Sequence, residues 1–117
     1  MPRILGYDIS ITGRTLLGPL TILDGQSTWQ NLITMPVSGA NTIEMEYSIQ
    51  RNTDRASGML IIASNSLDTS LSDTGTDLAN IGVEFQAVVS GLSIIIQYRS
   101  EATGFGGVFK YFIDAWN

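Results

Sequence analysis

Glu44 and Glu46 are the residues of this chain whose spacing best suits chemistry. They stand in Ile43-Glu44-Met45-Glu46-Tyr47-Ser48-Ile49-Gln50. Successive strand side chains alternate faces, so both carboxylates share one face, about 7 Å apart by strand rise. Such a pair resembles the acid–base carboxylates of a glycosidase. The plainer reading is a solvated strand face whose charges pair with a neighbouring arginine. Asp68, Asp73 and Asp77, with several hydroxyls between them, offer the oxygen ligands calcium takes. Their spacing does not match an EF-hand loop, so an ordinary polar loop is the simpler expectation. Tyr7, Trp29, Tyr47, Tyr98, Tyr111 and Trp116 are candidates for a sugar-stacking platform, although aromatics more often fill cores or interfaces. Gly104-Phe105-Gly106-Gly107 is glycine-rich but lies between two strand patterns. A phosphate-cradling loop opens onto a helix, so that function is excluded.

The chain contains neither histidine nor cysteine. It therefore lacks serine–histidine and cysteine–histidine nucleophile systems, and the usual zinc ligands. No disulfide framework is available either. The expectation is a protein without catalytic residues, metal or cofactor. A net charge of -5, with six scattered basic residues, argues against a nucleic-acid surface. No stretch approaches a membrane span, and the N-terminus lacks the apolar run of a signal peptide. The expectation is a complete cytosolic translation product with no nucleic-acid or membrane partner.

The elements that must position these residues are strands. Ile43, Met45, Tyr47 and Ile49 alternate with polar residues, the mark of a half-buried antiparallel strand. Gly58-Met59-Leu60-Ile61-Ile62-Ala63 is a continuous apolar run, which predicts a strand covered on both faces. Ile81–Val89, Leu92–Arg99 and Val108–Trp116 complete a regular half, residues 43–117. Residues 1–42 are less regular, with expected strands at Tyr7–Thr12, Leu20–Leu23 and Thr28–Ile33, and serve as a possible contact arm. Ser64–Asn80 is the longest stretch without a strand pattern. At 117 residues, the chain is read as one domain, residues 1–117. Its expected fold is an all-β antiparallel sandwich, or a jelly-roll-like barrel, of about eight strands.

The strands carry a surplus of apolar side chains. With Ser90-Gly91 as a two-residue turn, Val89 would pair with Leu92, Phe85 with Ile96 and Val83 with Tyr98. Those residues form one face, which leaves Ile95 on the other. In the last strand, Val108, Phe112 and Trp116 lie opposite Phe109, Tyr111 and Ile113. Leu60 and Ile62 back Met59, Ile61 and Ala63. One sandwich cannot bury both faces of three strands. Charged residues are only 15% of the chain, below the usual quarter. The expectation is a homo-oligomer whose interface draws on Leu60, Ile62, Ile95, Phe112 and Trp116.

The strand pattern of residues 43–116 resembles that of small structural proteins of tailed bacteriophages. The resemblance rests on Ile43–Arg51, Arg55–Ala63, Thr76-Asp77, Ile81–Phe85, Ser90-Gly91, Tyr98, Thr103-Gly104, Phe109-Lys110-Tyr111 and Trp116. The opening Ile4-Leu5-Gly6-Tyr7-Asp8-Ile9-Ser10 is similar to the start of such proteins. The resemblance implies a β-rich, often trimeric virion component assembled in the host cytoplasm. A head decoration (cement) protein would bind the major capsid protein. A head or tail fibre would instead carry a receptor- or carbohydrate-binding module. The resemblance supplies no catalytic residues.

Overall fold

The computed structural model describes residues 16–36, 42–64, 69–77 and 81–116, with the side chains at 76, 77, 115 and 116 excepted. The expected strand at Tyr7–Thr12 lies outside them. Among the described residues nine strands run in chain order: β1 (Leu17–Ile22), β2 (Gln30–Pro36), β3 (Thr42–Arg51), β4 (Asp54–Ser64), β5 (Thr69–Asp73), β6 (Thr76–Asp77), β7 (Val83–Ser90), β8 (Ser93–Ser100) and β9 (Gly107–Trp116). They form two antiparallel sheets. The larger has the order β1-β9-β3-β4-β5, with two-residue β6 also paired to β4, and the smaller is β2-β8-β7. The sheets pack face to face as an open β-sandwich rather than a closed barrel.

Alternation decides which side chains meet between the sheets. Ile43, Met45, Tyr47 and Ile49 of β3 are buried, as their period demands. Leu60 and Ile62 of β4, Ile94, Ile96 and Tyr98 of β8, and Phe109 of β9 complete the core with Ile22 and Ile81. Phe109 sits at its centre. Its ring lies 5.7 Å from both Tyr47 and Phe85 and 5.6 Å from Tyr111, at separations where ring edges and faces attract.

Tyr47 reaches across β4, and a glycine makes this possible. Gly58 is its cross-strand partner. A methyl group at Gly58 would strike the backbone of Gly75, and one at Gly75 would strike the Tyr47 hydroxyl. With both positions bare, that hydroxyl donates to Asp73 Oδ1 at 2.8 Å. A tyrosine tip is thereby satisfied at the sandwich margin, where an unpaired one would be costly.

Several expectations change. Leu60 and Ile62 face inward and are wholly buried, so they are core and not interface. The apolar run of β4 is covered on one face only: Ile61 and Ala63 are exposed on the other. Ser64–Asn80 is not strand-free, because β5 and β6 use its polar residues as an edge layer on β4. Serines and threonines tolerate an edge whose outer face is solvated. The β7–β8 turn is Gly91-Leu92, so Val89 pairs with Ile94 and Phe85 with Tyr98. Of the two turn residues, Gly91 alone has a positive φ, +61. That is the preference of a turn with glycine in its first central position. The register moves by two residues, and since two is the strand period, each side chain keeps its face.

Candidate functional site

Three regions of the described surface carry side chains beyond those the core needs. The first is the outer face of the larger sheet. Its register places Ile61, Glu44 and Asp114 in one row, and Met59, Glu46 and Phe112 in the next. Ser57, Ser48 and Lys110 follow, then Arg55, Gln50 and Val108. Val108 is 44% exposed and Ile61 37%, while Met59 and Phe112 are half-buried. The smaller sheet packs on the opposite side and cannot cover them.

The second region is the outer face of the smaller sheet. Here Gln86 Nε2 donates to Gln97 Oε1 at 2.6 Å, and Gln97 Nε2 donates to Asn31 Oδ1 at 2.8 Å. An amide ladder thus crosses all three strands. Arg99 donates to Glu84 at 2.6 Å and lies 4.3 Å from the centre of the Trp29 ring. Ile95 stands between Thr34 and Val88 on the same face.

The third region is the end of the sandwich where Arg51 closes it. Arg51 follows Ile49 in the inward phase of β3, and its side chain is only 3% exposed. Its guanidinium fork is fully used. Nε donates to the Phe105 carbonyl at 2.8 Å and Nη1 to the Ile81 carbonyl at 2.9 Å. Nη2 donates to the Glu101 carbonyl and, at 2.6 Å, to Asp24 Oδ1. Asp24 also accepts the Thr103 N–H at 2.8 Å and the Gly104 N–H at 3.1 Å. The Thr103 N–H, aided by Arg51 and Gly104, holds the Asp24 carboxyl below its ordinary value against an opposing desolvation. This knot ties the β1–β2 turn, the segment before β7 and the β8–β9 loop together. Beside it opens a cleft of about 540 Å³, lined by Gln26, Ser27, Glu84, Arg99 and Glu101 among others.

The sequence-derived candidates fall as follows. Ile95 and Phe112 both face outward, but on opposite sheets, so they do not form one patch. Trp116 ends β9, and its side chain is outside the described residues. Glu44 and Glu46 share the outer face of the larger sheet, with Asp114 directly across from Glu44. Among the described residues no cluster of acidic side chains is gathered to hold a metal ion. Asp73 is engaged by Tyr47, and Asp68 lies outside the described residues. The described aromatics do not form a platform: Tyr47 and Tyr98 are core, Tyr111 packs against it, and Trp29 is on the other sheet's outer face, while Tyr7 lies outside the described residues. Sequence reasoning missed the Arg51–Asp24 knot. Its signal was present, since Arg51 keeps the phase of Ile43 to Ile49 and Asp24 opens an Asp-Gly turn.

Compared with known proteins, the chain matches no family model and no curated protein.

Proposed function

We propose that this chain is a non-enzymatic structural subunit of a virion, a capsid decoration or cement protein. It acts through contacts with its own copies and with the major capsid protein. The observation that carries this reading is the outer face of the larger sheet. Met59, Ile61 and Val108 point away from the only core the described residues build. Burying what remains exposed of each favours association by a fraction of the roughly 1.5–3 kcal/mol that complete burial gives. The resemblance to phage structural proteins points the same way. Electron microscopy of purified particles, with the protein located in the density, tests the reading. Its absence from the particle removes it.

A second reading has its own observation. The polar cleft beside the Arg51 knot is of a size that small ligands occupy. Its carboxylates, the Arg99 guanidinium and the adjoining Trp29 ring are groups that bind sugars. This supports a carbohydrate-binding module of a head or tail fibre. A glycan array with a specific hit, lost on substitution of Glu101 by Gln, would favour it over the structural role.

A further inference from the structure

The outer face of the smaller sheet carries its side chains in rows across the three strands. Glu84 stands across from Arg99, whose guanidinium covers the Trp29 ring. The next row is Gln86, Gln97 and Asn31, and the one after it Val88, Ile95 and Thr34. Arg99 and Glu84 neutralise each other, so these three rows carry no net charge. The amides of the middle row are only partly used. A primary amide offers two N–H hydrogens and two carbonyl lone pairs. The ladder from Gln86 through Gln97 to Asn31 spends one hydrogen of each glutamine, and one lone pair each of Gln97 and Asn31. Among the described residues nothing takes up the two Asn31 hydrogens, the second hydrogen of each glutamine or the lone pairs of Gln86 Oε1. Asn31 is exposed and the glutamines half-buried, so these groups meet solvent. The ladder also fixes the three side chains, which leaves little rotamer freedom to lose on binding.

We propose, resting on the carbohydrate-binding reading of the cleft beside Arg51, that the amide row is a further subsite for a neutral, extended glycan anchored in that cleft. A sugar hydroxyl donates and accepts at once. It therefore suits a row that offers N–H groups and carbonyls side by side. An apolar protein partner finds little here, since Ile95 and Val88 are both half-buried. Charge selects a neutral chain. In the cleft lining Glu84 and Glu101 stand against Arg99 alone, and the whole chain carries -5, so an acidic glycan is repelled. Arg99 and Glu84 belong to both surfaces. They line the cleft, and they form the row next to the amides, about 6.8 Å away along the strands. A chain seated in the cleft continues over that pair onto Gln97 and its neighbours. An extended chain can follow the open sheet face, whereas a coiled one departs from it.

The test is isothermal titration calorimetry with two probes: cellobiose, which fills the cleft alone, and cellohexaose, which is long enough to reach the amide row. The wild type is expected to bind cellohexaose at least about fivefold more tightly than cellobiose, the effect of one added neutral hydrogen bond. Asn31→Asp keeps the acceptor for Gln97 but removes both outward hydrogens, and Gln97→Leu dissolves the ladder. Each variant should stay folded by circular dichroism, lose the gain for cellohexaose and bind cellobiose as the wild type does. Glu101→Gln, in the cleft, should weaken both sugars. Absence of cellohexaose binding at millimolar concentration, equal affinity for the two sugars, a gain that survives both row substitutions, or tighter binding of the acidic hexagalacturonate would each overturn the proposal. The carbohydrate reading fails separately, when a glycan array gives no hit. An array hit confined to short or acidic sugars leaves that reading standing and removes the amide subsite alone.

Discussion

Arg51 is the residue whose replacement the structure makes most consequential. Its guanidinium is almost wholly buried, and its Nε, Nη1 and Nη2 donate to three backbone carbonyls and to Asp24. In Arg51→Met the stem is retained and the fork is lost. The carbonyls of Phe105, Ile81 and Glu101 lose a charged donor, and Asp24 loses its cation. Hydrogen bonds to charged groups contribute about 1.5–3 kcal/mol each, but they do not add when they act as one network. Breaking one partner of a buried pair costs about 3–5 kcal/mol. Asp24 is a third exposed, so the carboxylate left behind can hydrate, which places the loss at the lower end of that range, about 3 kcal/mol. That is a large part of the stability of a domain of this size. With a urea slope of about 1.5 kcal/mol/M, the unfolding midpoint should fall by about 2 M. Arg51→Lys should recover only part of this, because an ammonium cannot reproduce the planar fork. A loss below about 1 kcal/mol for Arg51→Met, the level of an exposed ion pair, would refute the account of the knot.

Two further perturbations test neighbouring parts of the argument. Because the folded Asp24 carboxyl is held below its ordinary value, its contribution to stability is present above that ordinary value. The contribution disappears as pH falls through the lower folded value, so Asp24→Asn should flatten the acid limb of a stability–pH curve measured by urea unfolding. An unchanged acid limb would contradict the assigned role. Gly58→Ala places a methyl group against Gly75 and should cost about 1–3 kcal/mol, the range for overpacking a filled site. Thermal denaturation measures it, and an unaltered midpoint would show that β4 and the β5–β6 connection move apart freely.

Much of the fold was legible because it rests on a period of two. Residues 43 to 49, 83 to 89 and 94 to 98 alternate, and the structure turns each apolar set inward. Even the misplaced β7–β8 turn left those faces intact. The apolar run at 59–63 was different. A run without alternation does not reveal its phase, and the choice between Leu60 with Ile62 and Met59 with Ile61 belongs to the partner strands. β5 and β6 were invisible because edge strands made of Ser, Thr and Asp look like loop by composition. Of the candidate site, Ile95 and Phe112 were correctly placed outward, but no pairing rule in the sequence says which sheet each joins. Arg51 was hidden by its type: a charged residue in an apolar phase reads as the end of a strand, whereas here it is the buried cap of the sandwich.

The place of β9 between β1 and β3 also governs how the molecule comes together. The β3–β4 and β7–β8 hairpins close over two-residue turns and can form locally within microseconds. The larger sheet cannot be completed from them. β3 pairs with β9 along its whole length, and among the described residues β1 pairs only with β9. On a ribosome, β3 is therefore made more than fifty residues before the strand that covers its second edge. For that interval Glu44, Glu46, Ser48 and Gln50 lie beside an unpaired backbone. Their polarity on the solvent side restrains that edge from joining the edge of another nascent chain. Folding of the larger sheet is a late event that must wait for the ten-residue span of β9, and its rate is set by the long loops this closure spans.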